Sequence, residues 1–156
     1  MAFYGILPAG GWMKKMVRGA MAGAALAAAA GCMMMGNGMA RPADAEFGMG
    51  PRVSASGRYS ATIEAPEPLR VRRMQTVRVT VRTAAGAPVD GAQITIDGGM
   101  PQHGHGLPTA PRVTRALGNG AYQVEGLKFN MGGWWELKFR ISSTAGPDSV
   151  TFNLDL

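Results

Sequence analysis

The sequence predicts an all-β protein, an immunoglobulin-like antiparallel β-sandwich of about seven strands, and two observations predict it. From Gly57 onward, apolar and polar residues alternate with a period of two, which is typical of half-buried antiparallel strands. Turn signals separate the alternating runs, and Asn119-Gly120 is the strongest hairpin signal among them. About seven short strands in roughly 100 residues fit such a sandwich, and this length suffices for one core without a disulfide.

Each alternating run has one apolar face. In the sixth run, Trp135 and Leu137 share the core-facing side, whereas Trp134 and Glu136 face the other way. Tyr122, just after the Asn-Gly turn, stands where a tyrosine corner is expected. The predicted strands cover residues 59–63, 77–81, 94–96, 111–117, 121–127, 134–142 and 149–156.

The first part of the chain is predicted to be a targeting segment. Lys14, Lys15 and Arg18 precede an Ala-rich apolar run over residues 19–31, which is the pattern of a secretory signal peptide. Residues 1–31 are therefore expected to be a signal peptide, with Met13 as an alternative start. A retained membrane-spanning helix is the other interpretation, because the Met-rich residues after the run extend its apolar length.

The apolar run ends in Ala-Ala-Gly directly before Cys32, the only cysteine. This resembles the lipobox of bacterial lipoproteins, which implies cleavage before Cys32 and lipidation of its thiol. An A-x-A site before Glu46 is a second cleavage candidate. Residues 32–56 are expected to be a lipidated cysteine and a flexible tether, and residues 57–156 the folded domain. The MMMGNGM run at residues 33–39 is interpreted as apolar residues beside the anchor, with thioether metal ligands as the alternative.

The composition excludes several classes of function. The chain has 16 Lys and Arg residues against 10 Asp and Glu, but cleavage before Cys32 removes three of those cations. The remaining arginines alternate with apolar residues along predicted strands, so we expect no nucleic-acid partner. The single cysteine and two histidines provide no zinc ligand set and no nucleophile motif, and we expect no enzyme activity.

The loop after the third predicted strand contains both histidines, in the sequence GGMPQHGHGLP. In an extended backbone, His103 and His105 would project to the same side, roughly 6–7 Å apart at Cα. If consecutive strands are antiparallel, this loop and the turn containing Met131 lie at the same end of the sandwich, as does Met74. Two imidazoles and a thioether would then share one end.

A site of histidine and methionine without acid or thiolate suits copper best. We expect His103, His105 and Met131 to bind it, with Met100 as a further candidate ligand. The alternative is structural: the histidines hydrogen-bond the loop backbone, and Met100 and Met131 fill the end of the core. A third interpretation is a metal-free surface that docks an envelope partner through an exposed Trp134.

Residues 90–141 resemble the YtkA-like/FixH-like family of bacterial exported domains. The matching motifs are the Met-Pro-x-His-x-His-Gly loop from Met100, the Gly-x-Tyr step at Tyr122, the Gly-Leu-x-Phe step at Phe129 and the turn from Met131 to Trp134. Gly132 stands where the family usually has proline. The resemblance implies an immunoglobulin-type sandwich on the outer side of the inner membrane and, through the FixH relatives, a partner in assembling a copper-containing oxidase.

These interpretations together predict an envelope lipoprotein on the periplasmic side, held to a membrane by Cys32. Its expected ligand is a copper ion, and its expected partner is a cuproprotein or an oxidase-assembly protein.

Overall fold

The structure, a computed structural model, describes residues 39–156, so the predicted signal peptide and Cys32 lie outside the described residues. Within this range the chain is all-β, and no helix is present that could span a membrane. The strands are β1 (Arg52–Val53), β2 (Tyr59–Glu64), β3 (Met74–Thr83), β4 (Gln93–Met100), β5 (His105–Gly106), β6 (Arg112–Gly118), β7 (Ala121–Lys128), β8 (Trp134–Ser143) and β9 (Gly146–Asp155).

The strands form two antiparallel layers that are joined into a nearly closed sheet. One layer has the order β1-β2-β3-β7-β6 and the other has the order β4-β8-β9, with β5 paired to β4. A single residue pair, Thr95 with Arg112, connects β4 to β6. Without β1 and β5, this is the strand arrangement of an immunoglobulin constant-type domain. The predicted fold class is confirmed, and each of the seven predicted strands has its counterpart among β2–β4 and β6–β9.

The alternation places one apolar face of each layer inside. On β8, Trp135, Leu137, Phe139 and Ile141 are all buried, as the sequence predicted. Phe139 meets Phe152 of β9 edge to face, with ring centroids 5.7 Å apart. Among the described residues, the buried apolar core lies between Tyr59 and Leu154.

Tyr122, at the start of β7, hydrogen-bonds the connection between β3 and β4. Its hydroxyl donates to the Val89 carbonyl at 2.6 Å and accepts from the Ala92 amide at 2.9 Å. The predicted tyrosine corner is therefore a hydrogen-bonding tyrosine at the start of β7. Its hydrogen bonds fix the β3–β4 connection. In immunoglobulin domains, by contrast, the tyrosine corner lies near the start of the following strand, the equivalent of β8.

The segment before β2 contacts the domain, although it was expected to be part of a flexible tether. Arg52 and Val53 pair with β2, and the Gly48 amide donates to the Asn153 carbonyl of β9 at 2.8 Å. Phe47 forms a parallel bridge with the same Asn153. The sheet therefore begins before Gly57, because backbone groups of this segment satisfy the otherwise open edge of β9.

Asp148 closes the gap between β9 and the β1–β2 turn. Its carboxylate accepts hydrogen bonds from the amides of Ser56 at 3.1 Å, Arg58 at 3.3 Å and Ser149 at 2.8 Å. A hydrogen bond from the Ser54 side chain, together with these amides, lowers the pKa of Asp148 to about 2. Each of these donors favours the charged carboxylate.

Replacing Asp148 by asparagine is expected to lower the thermal unfolding midpoint at neutral pH. Because the folded-state pKa lies below the ordinary value of 3.8, the carboxylate stabilises the fold above that value, and the contribution is lost as the pH falls towards about 2. The difference in midpoint between wild type and Asp148→Asn should therefore shrink across this window. A difference that stays constant from pH 7 to pH 2 would contradict this origin.

Candidate metal-binding site

Both histidines lie at one end of the sandwich, which we call the histidine end and define as residues 100–106 together with residues 130–133. Strand β4 ends there at Met100, and β8 begins there at Trp134. An added Cβ on Gly133 would lie 3.0 Å from the Met100 Cε, which places the two segments in contact. The antiparallel pairing of β3 with β7, beginning at Met74 and Lys128, brings Met74 to the same end. The placement of these two segments, argued from strand parity, is confirmed.

The histidines are presented by a tight hairpin between β4 and β5. Met100 pairs with His105, and the His103 amide donates to the Met100 carbonyl at 3.0 Å. Gly104 has a φ of 63°, a conformation that glycine adopts without strain. The expectation of an extended backbone through the two histidines is wrong, because this turn reverses the chain between them.

The turn nevertheless brings the two imidazole rings close together in a stacked arrangement. Their centroids are 6.0 Å apart with an angle of 22° between the ring planes, and both residues are exposed. A ring nitrogen binds a transition metal at about 2.0 Å, so two rings that share an ion have centroids at most about 6.4 Å apart. The observed spacing is within that limit, and because the rings are stacked, they must rotate about their side-chain bonds for their in-plane nitrogens to converge on one ion.

The turn does not use the imidazoles to hold itself together. Its closing contacts are backbone hydrogen bonds, including one from the Leu107 amide to the Gly98 carbonyl at 3.0 Å. Within residues 39–156, no hydrogen bond involves either imidazole ring. The structural alternative, in which the rings brace the loop backbone, therefore has no support in this part of the chain.

Two glycines allow the hairpin to lie close to the sheet. A Cβ on Gly99 would lie 2.5 Å from the His105 carbonyl oxygen, and one on Gly98 would lie 2.6 Å from the Glu136 carbonyl oxygen. Real Cβ atoms do not approach backbone oxygens so closely. Glycine at these positions therefore determines where the histidine backbone sits relative to β8.

Met100 does not stand beside the histidines as a surface ligand. Its side chain is 1% exposed and belongs to the hydrophobic core. Met100 is therefore not an exposed donor, because the β4 alternation turns this side chain inward, and its role as a ligand stays a prediction. It fills the end of the core, as the structural alternative proposed for it.

Met131 reaches solvent, with 36% of its surface exposed. Its backbone carbonyl accepts a hydrogen bond from the Trp135 Nε1 at 3.0 Å. Trp135 is fully buried and meets Phe129 edge to face at 5.1 Å. The core therefore fixes the turn that presents Met131, even though Gly132 replaces the usual proline.

Trp134 is buried, so the prediction of an exposed docking residue is wrong. Only 2% of its surface is exposed, and its Nε1 donates to the Asn153 Oδ1 at 2.9 Å. It faces outward with its cross-strand partner Asp155, which forms an ion pair with Arg41 at 3.0 Å. The Arg41 guanidinium also stacks on Phe47, 3.9 Å from the ring centroid. The N-terminal segment therefore covers a strand face that alternation alone predicts to be solvated.

A surface cleft beside His105 includes a methionine that the sequence did not place at this end. The cleft has a volume of about 420 Å³, and Met39, His105, Glu136 and Lys138 are among its lining residues. Met39 is 61% exposed. It is the last residue of the MMMGNGM run, whose thioethers were the alternative interpretation of that run. Nothing in the local sequence indicates that the chain returns to His105 at this point.

Comparison with known proteins finds a family match over the part of the chain that contains this end. The sequence profile of the YtkA-like family matches residues 54–140, more than half of the chain. The chain belongs to the YtkA-like family. The matched range contains β2 through most of β8 and therefore includes the histidine hairpin and the Met131 turn. Membership in the YtkA-like family indicates an exported bacterial domain. No curated protein and no solved structure matches the chain.

Proposed function

We propose that this YtkA-like domain binds copper at the histidine end and transfers it on the periplasmic side of the envelope. The single observation that carries the proposal is the pair of exposed imidazoles, 6.0 Å apart, on a backbone-closed hairpin. A turn that needs neither ring for its own stability leaves both free to bind a ligand. The rigid backbone reduces the conformational entropy that metal binding would cost.

The donor set favours copper over zinc. Within residues 39–156, no three side chains of His, Cys, Asp or Glu cluster closely enough to hold a metal ion. The exposed donors at this end are two imidazoles and methionine thioethers, among them that of Met131. Thioethers select Cu(I), and imidazole binds both oxidation states, whereas zinc sites use thiolate, imidazole and carboxylate.

Exposure of the donors supports transfer rather than storage. His103 and His105 both lie on the surface, where ligands from a second protein could approach the ion without unfolding the hairpin. A site with few protein ligands leaves coordination positions open for an incoming donor. The partner we propose is therefore a cuproprotein or an assembly factor with its own soft ligands.

Copper titration of residues 39–156 tests this proposal. Cu(I), added without oxygen in competition with a chromophoric chelator, is expected to bind one ion per chain with sub-micromolar affinity. Met131→Leu keeps the side-chain volume and should weaken Cu(I) more than Cu(II), because only the soft ion prefers the thioether. An affinity weaker than micromolar for both ions would overturn the proposal.

We further propose that Cys32 is lipidated and holds the domain to a membrane. The apolar run over residues 19–31 and the small residues before Cys32 support this assignment. Cys32→Ser is expected to block maturation or to release the protein from the membrane fraction of the native host. Unchanged migration and unchanged membrane association of this variant would instead favour a retained helix.

A further inference from the structure

The β2–β3 connection, residues 65–73, lies at the histidine end and carries a group of arginines. We call it the arginine loop. Arg70, Arg72 and Arg73 are all exposed, and within residues 39–156 none of them forms an ion pair. One acidic residue, Glu67, lies in the same loop. The loop is therefore a local excess of positive charge on a domain whose other charges are mixed.

The arginine loop is held in a defined shape. The Gln75 side chain accepts from the Arg70 amide at 2.7 Å and donates to the Arg70 carbonyl at 3.0 Å. Arg72 has a φ of 62°, and its amide donates to the Phe129 carbonyl at 2.6 Å. A left-handed conformation is uncommon for a bulky residue, and such strain clusters at sites of function. The arginines are thus presented by an anchored backbone.

Exposed methionines surround the same end. Among the described residues, five large apolar side chains are markedly exposed, and Met39, Met74 and Met131 are three of them. Met39 lines the cleft beside His105, Met74 begins β3 directly after the arginine loop, and Met131 lies in the β7–β8 turn. Positive charge beside exposed apolar side chains is the composition of surfaces that lie on anionic membranes.

The proposed anchor at Cys32 would hold this end towards the membrane. Met39 is seven residues after Cys32 in the sequence, and seven residues span at most about 25 Å. A ten-residue strand such as β8 is about 34 Å long. Because the connection is shorter than the domain, the end at which the chain enters is the one that a membrane anchor holds nearest to the lipid.

We propose that the arginine loop binds anionic phospholipid headgroups, so that the histidine end faces the membrane. The proposed orientation of the domain on the membrane rests on the proposed anchor at Cys32. The phosphates of the lipid headgroups pair with Arg70, Arg72 and Arg73, and Met74 contacts the boundary between headgroups and acyl chains. A copper ion at the histidine end would then be offered to a partner embedded in the membrane.

Vesicle binding by residues 39–156 tests the lipid contact without the anchor. Vesicles of phosphatidylglycerol and phosphatidylcholine should sediment the fragment at low salt, whereas vesicles of phosphatidylcholine alone should not. Each arginine near an anionic surface contributes roughly a fivefold change in partitioning, so neutralising all three should weaken binding about 100-fold. The test variant is Arg70→Gln, Arg72→Gln and Arg73→Gln combined.

The matched control removes the same charge from the strands, by Arg82→Gln, Arg115→Gln and Arg140→Gln. It should bind within about twofold of the wild type in the same assay, because charges beyond a Debye length of roughly 10 Å are screened. Equal losses in both triple variants would show that only net charge matters, and would overturn the proposal. Absence of binding to phosphatidylglycerol vesicles would also overturn it, leaving the loop for an acidic protein surface.

The outcome is separable from the copper proposal. The arginine-loop variant should retain the Cu(I) affinity of the wild type, since none of its changed residues is a proposed ligand. Lipid binding without copper binding would leave this inference standing while the proposed metal function fails.

Discussion

Combined replacement of His103 and His105 by alanine is expected to abolish copper binding, with a loss in affinity of more than about 100-fold. Removing one hydrogen-bonding partner of a metal ligand typically costs 10–100-fold, and removal of both imidazoles deletes the ligands themselves. Both side chains are exposed and make no hydrogen bond within residues 39–156, so the fold should tolerate their loss. The unfolding midpoint of the variant should match that of the wild type.

The single variants separate a shared site from two independent ones. If one ion bridges the rings, His103→Ala and His105→Ala should each lose most of the affinity, and the stoichiometry of the wild type should be one. Gln102→Ala is the matched control, because Gln102 lies in the same turn and is equally exposed but is not a proposed ligand. Retention of one copper ion by the double variant with unchanged affinity would contradict the assigned site.

Gly99→Ala is expected to disturb the site without changing any proposed ligand. The new Cβ would stand 2.5 Å from the His105 carbonyl oxygen, so the β4–β5 hairpin must move away from the sheet. Overpacking of this kind costs about 1–3 kcal/mol of stability. A displaced His105 should weaken copper binding about tenfold, since metal sites depend on positioning at the scale of a fraction of an ångström.

Gly106→Ala provides the control for this prediction. Gly106 follows His105 directly, but a Cβ there would meet only the Gly98 carbonyl oxygen, at 3.8 Å. That is an ordinary van der Waals distance, so this variant should keep both stability and copper affinity. Equal affinities for the Gly99→Ala and Gly106→Ala variants would show that the hairpin position does not matter for binding.

The strands of the fold, and the end of the sandwich at which the Met131 turn and the histidine hairpin meet, could be predicted from the sequence. Alternation identified the strands because each layer has one buried face, as on β8, and antiparallel parity placed the Met131 turn beside the histidine hairpin. Neither inference needs knowledge of side-chain packing. For the histidines, by contrast, an extended backbone was the basis of the predicted Cα spacing, whereas a turn at Gly104 brings their rings together.

The sequence could not show that the N-terminal segment packs against strands that are distant in sequence. Trp134 has the alternation of an outward residue but is buried, and the Arg41–Phe47 segment returns along β9 beside its cross-strand partner Asp155. Met39 reaches the cleft at His105 through the same segment. These residues lie far apart in the sequence from the strands they contact, in a Gly- and Pro-containing stretch without periodicity, so no local pattern predicts the contact.

The metal-ligand environment of copper-loaded residues 39–156 tests the central claim most directly. X-ray absorption of the Cu(I) form, prepared at one equivalent, reports the number and type of atoms bound to the ion. We predict two imidazole nitrogens and one thioether sulfur per copper, with the nitrogen signal absent from the His103→Ala, His105→Ala double variant. A copper ion surrounded only by solvent or buffer ligands, or a nitrogen signal that persists in the double variant, would contradict the account.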